Sequence, residues 1–272
     1  ICHEYLNLTV KCDSRDEPEY ADTLWLPPHT RANRAAWLAK SGLDLVWGDR
    51  FQDAAHVLQK TYQKMGIEWA RMDPYCDGYC YWTVADTVVM NEKAGVYTAQ
   101  GLFNPFWKTK RRGCSPEEFA AFNAPSVICL DLTDNPSSFP ADAYDEKTWR
   151  KIRPRPWGGG TWEDTNRVFT SGSTIPARFI LSHYAEADLA DATLVWTLEG
   201  PSGTLACGEK ALGRVTTGPA RTVAEVPIAV PATSVPYKAK ITANVGTAKN
   251  AWDVWVFPER ARKDGARLFA SG

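Results

Sequence analysis

The chain has 272 residues, 44% of them apolar and 23% charged, enough for one large domain or two ordinary ones with real cores. Its 31 basic and 32 acidic residues leave a net charge of −1, a balance that argues against nucleic acid or an anionic membrane surface as partner. No stretch approaches the ~18 apolar residues that a membrane helix needs.

In chain order, Ile1 to Glu4 is a short apolar run of strand type. Residues 11–30 form a polar, proline-marked loop, and Arg31 to Lys40 can make a helix that stops at Gly42. In the next helix Phe51, Ala55, Leu58, Tyr62, Met65 and Trp69 recur at spacings of four and three, which places them on one face. Asp49 is its candidate cap and Asp73-Pro74 its end. Gly78 to Val84, rich in aromatics and valine, predicts a buried strand. Strand, helix, strand, with a long loop after each strand, is the grammar of a βα barrel.

Ser115-Pro116-Glu117-Glu118 is a capping box with proline at the first helical position, starting a short helix over Glu117 to Phe122. Val127 to Leu132 then predicts a strand, and residues 133–165 a long loop or insertion. From about Asn166 the pattern becomes all-β. Thr174 to Tyr184, Thr193 to Glu199, Thr204 to Glu209, Arg221 to Val230, Tyr237 to Val245 and Trp252 to Phe257 are short, partly alternating runs separated by turn signals. With Val127 to Leu132 they make about seven strands, which suits an antiparallel sandwich. The fold class expected is therefore α/β, as the C-terminal part of a TIM-barrel-like domain over residues 1–125, followed by an all-β immunoglobulin-like sandwich over 126–260. Residues 261–272 form a tail toward a further element.

Seven irregularly spaced cysteines and four scattered histidines give no zinc-type spacing, so neither a metal nor another cofactor is expected. Cys76 and Cys80 could bridge, although buried free thiols are the better reading. The compartment stays open, with the balance toward an extracellular or periplasmic one. Twelve tryptophans are the compositional outlier. Flat aromatic faces are what sugar rings stack on, while core packing accounts for most tryptophans in any protein.

Two segments carry a family resemblance. Ile1-Cys2-His3-Glu4-Tyr5 resembles the end of the seventh barrel strand in glycoside hydrolase family 2, the beta-galactosidase-like enzymes. Gly78-Tyr79-Cys80-Tyr81-Trp82, followed by Asp86, resembles their eighth strand. Val168-Phe169-Thr170-Ser171-Gly172, Leu181-Ser182-His183-Tyr184 and Trp252-Asp253-Val254-Trp255-Val256-Phe257-Pro258 are similar to the immunoglobulin-like domain that follows the barrel in distant relatives. The resemblance implies a carbohydrate substrate, Glu4 as the catalytic nucleophile, Trp82 as an apolar floor for the sugar, and His3, Asn7 and Asp86 as substrate-binding groups. The pattern departs from the family at His3 and Asn7, where cysteine and histidine are usual, and at Thr83, where a larger or acidic residue stands.

Retaining hydrolysis needs a second carboxyl group as the acid. The family carries it on the fourth strand, so the chain resembles a fragment that is inactive alone and completed by missing domains of a parent chain or by a homo-oligomer. The alternative from a different class is a non-catalytic carbohydrate-binding or adhesion module, with Trp157, Trp162, Trp252 and Trp255 as contacts. A third reading is a structural sandwich that positions its neighbours.

Overall fold

The computed structural model describes residues 1–6, 8–24, 27, 29–73, 76–89, 96–132 and 167–259. The chain divides into two compact units, Ile1–Ala124 and Pro125–Gly272. The first mixes helices with short strands; the second is largely antiparallel β-sheet.

The first unit opens with strand β1 (Cys2–Tyr5), which pairs in parallel with β2 (Tyr79–Tyr81). Parallel neighbours need a long crossover, and here it contains two helices. Helix α1 (Arg31–Ala39) is capped by Thr30, whose side chain accepts the Asn33 amide at 3.0 Å. It runs into a turn at Gly42 (φ 68°). Helix α2 (Leu45–Met72) starts earlier than the sequence predicts. Asp44, not Asp49, accepts the Trp47 amide at 3.1 Å, while Asp49 pairs with Arg31 at 2.5 Å. The expected loop over residues 11–30 contains a 3-10 helix, Ser14–Tyr20, capped by Asp13.

The apolar stripe of α2 is only partly packed: Ala55, Tyr62, Met65 and Trp69 are half-buried. Phe51 is 48% and Leu58 60% exposed, whereas Gln52, His56, Gln59 and Gln63 are each at most 6% exposed. The loops that pack on this helix have no ladder to satisfy their carbonyls, and a buried carbonyl without a partner is costly. The amide side chains supply donors. Gln52 Nε2 donates to the Lys11 carbonyl at 2.6 Å, and Gln59 Nε2 to those of Leu8 (2.9 Å) and Ala99 (3.0 Å). Gln63 Nε2 donates to the Tyr81 hydroxyl at 2.7 Å. A paired substitution tests this inverted face by urea unfolding. Gln59→Leu, the apolar choice at a buried position, should cost about 2 kcal/mol, whereas Leu58→Lys should change stability by less than about 0.5 kcal/mol. The reverse ranking would restore the apolar stripe as the packed face.

Downstream of β2, β3 (Thr87–Val89) and β4 (Val96–Thr98) form a short antiparallel pair that the sequence reading did not anticipate. Helix α3 (Pro116–Asn123) carries the predicted capping box. Ser115 Oγ accepts the Glu118 amide at 3.1 Å, and Glu118 Oε2 accepts the Ser115 amide at 3.0 Å. A small core of Leu6, Ile67, Leu102, Cys114 and Phe122 joins these elements.

The second unit has eight described strands: β5 (Ser126–Asp131), β6 (Val168–Thr170), β7 (Thr174–His183), β8 (Leu189–Gly200), β9 (Gly203–Val215), β10 (Gly218–Ala229), β11 (Tyr237–Val245) and β12 (Ala248–Phe257). One sheet runs β10-β7-β5 and the other β6-β12-β11-β8-β9. Every pair is antiparallel except β6 with β12. The β8–β9 pairing carries three register shifts, and Gly213 on β9 has φ 66°. Apolar residues of both sheets, among them Ile128, Phe179, Leu198, Ile241 and Trp252, form a single core. The anticipated insertion at 133–165 and the tail at 261–272 lie outside the described residues. Among the described residues no helix is long and apolar enough to cross a membrane.

Candidate functional site

Glu4 is the last residue but one of β1 and Trp82 follows β2, so the two parallel strands present them at the same end. Tyr5 is the partner of Tyr81, and the Trp82 amide donates to the Tyr5 carbonyl at 3.1 Å. Glu4 is exposed and has φ 52°, in the left-handed region that non-glycine residues seldom occupy; Leu6, two residues on, has φ 67°. His3 is exposed as well. Tyr5 is anchored below by its hydroxyl, which donates to the Gly66 carbonyl at 2.7 Å. Trp82 is 37% exposed, its indole N–H donates to Gln100 Oε1 at 2.7 Å, and its peptide bond to Thr83 is cis. Asn7 lies outside the described residues.

Asp86 is not beside them on the open face. It is buried, and its Oδ1 accepts both Lys110 Nζ and the Gly101 amide at 2.8 Å. The carboxylate and ammonium side chains are only 4% and 3% exposed. Its Oδ1 is taken by these internal partners, and a side chain this buried offers little surface to a ligand. Burial pushes its pKa up to about 6 despite the Lys110 charge, and burial likewise pushes the Lys110 ammonium down. Lys110 Nζ also donates to Gln59 Oε1 (3.2 Å) and the Ala99 carbonyl (3.3 Å), so this cation is fully coordinated by acceptors.

Around the pair lies a small cavity lined in part by Cys12, Asp13, Asp16, His56 and Asn104. Its groups are mutually satisfied. Arg15 pairs with Asp13 at 2.7 Å and with Asp53 at 2.6 Å. Although burial opposes it, the Arg15 hydrogen bonds hold the Asp13 carboxyl below its ordinary value. Asn104 Nδ2 donates to Asp16 at 3.1 Å. His56 Nδ1 donates to the Arg111 carbonyl at 2.7 Å, which leaves Nε2 to accept from Gln52 at 2.9 Å. Burial lowers the His56 pKa and keeps the ring neutral. The Cys12 thiol, pushed up to about 12 by burial and then by Asp86, is no nucleophile near neutral pH. This cluster is a structural clasp, and among the described residues no group of side chains could hold a metal ion.

The remaining sequence expectations divide. Neither Cys76 nor Cys80 is in a disulfide; Cys76 is half-buried, its thiol donating to the Gly78 carbonyl at 3.4 Å, and Cys80 is exposed. Trp252, named as a sugar contact of a binding module, is 1% exposed in the core and cannot reach a ligand; Trp255 is 40% exposed. Trp157 and Trp162 lie outside the described residues. Gln100 and Lys110 were missed. For Gln100 the one sequence signal is the adjoining Gly101, which marks a close backbone approach; Lys110 carries none.

Residues 173–258 match the family model described as a domain of unknown function (DUF8488). No curated protein matches the chain. Among solved structures the chain is similar to the Pseudomonas fluorescens alkylpurine DNA glycosylase AlkC bound to DNA with an abasic site analog. That match has 14% identity and a TM-score of 0.27, and covers 34% of this chain and 28% of that one. It is also similar to a cell-surface protein domain from Methanosarcina acetivorans, with 9% identity, a TM-score of 0.21 and coverage of 35% and 83%. The expectation that nucleic acid is excluded as a partner is withdrawn, because a near-zero net charge says nothing of how a single face is charged. At these TM-scores neither likeness carries an argument for what this chain binds.

Proposed function

We propose that this chain carries the last two βα units of a retaining glycoside hydrolase of the family 2, beta-galactosidase-like group, followed by an immunoglobulin-like sandwich. The observation that supports this most is the parallel pairing of β1 with β2 across the α2 crossover, with Glu4 and Trp82 on adjacent strand ends. The carboxyl ends of parallel strands are where barrel enzymes carry their chemistry. The left-handed backbone at Glu4 adds to it, since such conformations persist where a side chain must be aimed. The two sheets of the second unit, with their shared core, suit the sandwich.

In this reading Glu4 attacks the anomeric carbon while the sugar lies on Trp82. The leaving oxygen needs an acid about 5–5.5 Å from the nucleophile. Glu68 is buried against Lys64 at 2.8 Å and Asp86 is held by Lys110, so neither serves. In this reading the acid is neither of these two carboxylates, and the chain alone is not expected to hydrolyse an unactivated glycoside.

Glu4 can still be tested, because fluoride leaves without protonation. The probe is a β-galactosyl fluoride bearing a second fluorine on the carbon next to the anomeric centre, which slows hydrolysis of the ester once formed. Glu4 Oε bonds to the anomeric carbon and fluoride departs. Mass spectrometry should find one fluorogalactosyl group on the peptide containing Glu4, and none in Glu4→Gln. An unlabelled chain that still binds oligosaccharide saturably, with Glu4→Ala unchanged, would replace this reading with that of a binding module.

A further inference from the structure

We propose that Gln100 is a sugar-contacting residue of this site: its carboxamide oxygen fixes the Trp82 indole, and its N–H bonds meet a hydroxyl of the sugar lying on that ring. The proposal rests on the carbohydrate reading above.

The argument starts from the 2.7 Å hydrogen bond between Trp82 Nε1 and Gln100 Oε1. An indole N–H only donates, so the carboxamide must turn its oxygen toward Trp82 and its NH2 away. That NH2 makes no hydrogen bond to any described residue. It sits beside a ring that is 37% exposed, on a residue that is itself only half-buried. An aromatic face with paired N–H donors at its edge matches a pyranose, whose axial C–H face stacks while an edge hydroxyl accepts.

Gln100 is also held rigidly in the chain. The preceding carbonyl, of Ala99, accepts from the Val10 amide (3.2 Å), Gln59 Nε2 (3.0 Å) and Lys110 Nζ (3.3 Å). The following amide, of Gly101, donates to Asp86 at 2.8 Å. The clasp described above thus pins the backbone on both sides of Gln100, so little freedom is lost when a ligand binds. The buried Asp86–Lys110 pair acts on the sugar only through this residue.

The test separates holding the ring from reading the sugar. In nitrogen-15 spectra of the full chain, the Trp82 indole signal is the one lost in Trp82→Phe. Methyl β-galactopyranoside is the probe. In the wild type it should shift that signal saturably. Gln100→Glu keeps an acceptor for the indole but has no N–H, so the free signal should stay at its hydrogen-bonded position while affinity falls about fivefold. Gln100→Ala should move the free signal and weaken binding about tenfold. Gln100→Glu binding as tightly as wild type overturns the sugar contact, and an unmoved indole signal in Gln100→Ala overturns the fixing of the ring. If the wild type shows no saturable shift, the carbohydrate reading falls and takes the contact with it. The sugar-free spectra of the variants tell that outcome apart from a failure of the Gln100 geometry.

Discussion

Lys110→Met should cost the first unit about 3 kcal/mol at pH 8 and far less near pH 4, because it leaves the Asp86 carboxylate buried without its counterion. The sign follows from linkage. Burial already raises the Asp86 pKa to about 6, above the roughly 3.9 of an unfolded chain. A carboxyl raised on folding favours the folded state while it is protonated, and that advantage is lost as pH rises through the folded value. The wild type therefore loses stability from Asp86 between about pH 4 and pH 6, and removing Lys110 extends that loss upward. His56 runs the other way: burial depresses its pKa, so its contribution grows as pH rises toward its ordinary value. Lys110 contributes to that depression, so Lys110→Met also relieves part of the His56 cost at low pH, in the same direction as the Asp86 effect. The described helices all lie in the first unit, so urea unfolding followed by helical circular dichroism reads the relevant part. An equal penalty at about pH 4 and pH 8 would mean that lost packing, not the orphaned charge, carries the effect.

Gly101→Ala should be more disruptive still, costing more than about 3 kcal/mol or preventing folding of the first unit. A methyl group there would lie 2.4 Å from both the Ala85 carbonyl carbon and the Asp86 amide nitrogen, and 2.7 Å from the Ala85 α-carbon. All three are main-chain atoms of the segment that leads from Trp82 to the ion pair, so no side chain can swing aside. The cause is space, since Gly101 is not among the glycines with positive φ. Gly42→Ala is the control: its φ of 68° makes it strained, but nothing lies within 4 Å, and about 1 kcal/mol is the expected cost. Melting temperatures of the two variants decide the matter. A Gly101→Ala protein as stable as Gly42→Ala would show that the 85–86 backbone is free to retreat.

These two sites show why part of the molecule was legible and part was not. The Ser115 capping box is a local device whose partners lie three residues apart, and it folds as its sequence spells it. The strands of the second unit were recognisable from alternation, although β6, at three residues, is too short for a period to show. Helix α2 defeated the reading because amphipathicity assumes that the buried face is apolar. Its buried face instead answers the carbonyls of irregular loops, a demand that exists only once those loops are in place. The strand before Trp82 was legible from its aromatics only in part, since it spans Tyr79–Tyr81 alone and is not buried as Gly78 to Val84 was expected to be. Asp86 looked like a ligand because its partner, Lys110, is 24 residues away in a run of basic residues.

The irregular pairing of β9 also decides how the larger sheet meets other chains. A terminal strand offers a free row of amides and carbonyls on which a stranger can build. Among the described residues, β6 at one margin of this sheet spans only three residues, too few to template an added strand. At the other, β9 is 13 residues long but is bent by its register shifts and by Gly213, and bears Glu209, Lys210 and Arg214 in the same stretch. A straight incoming strand would lose register at the bend and meet charge on either side of it. One margin resists fibrillar growth by brevity and the other by crookedness and charge.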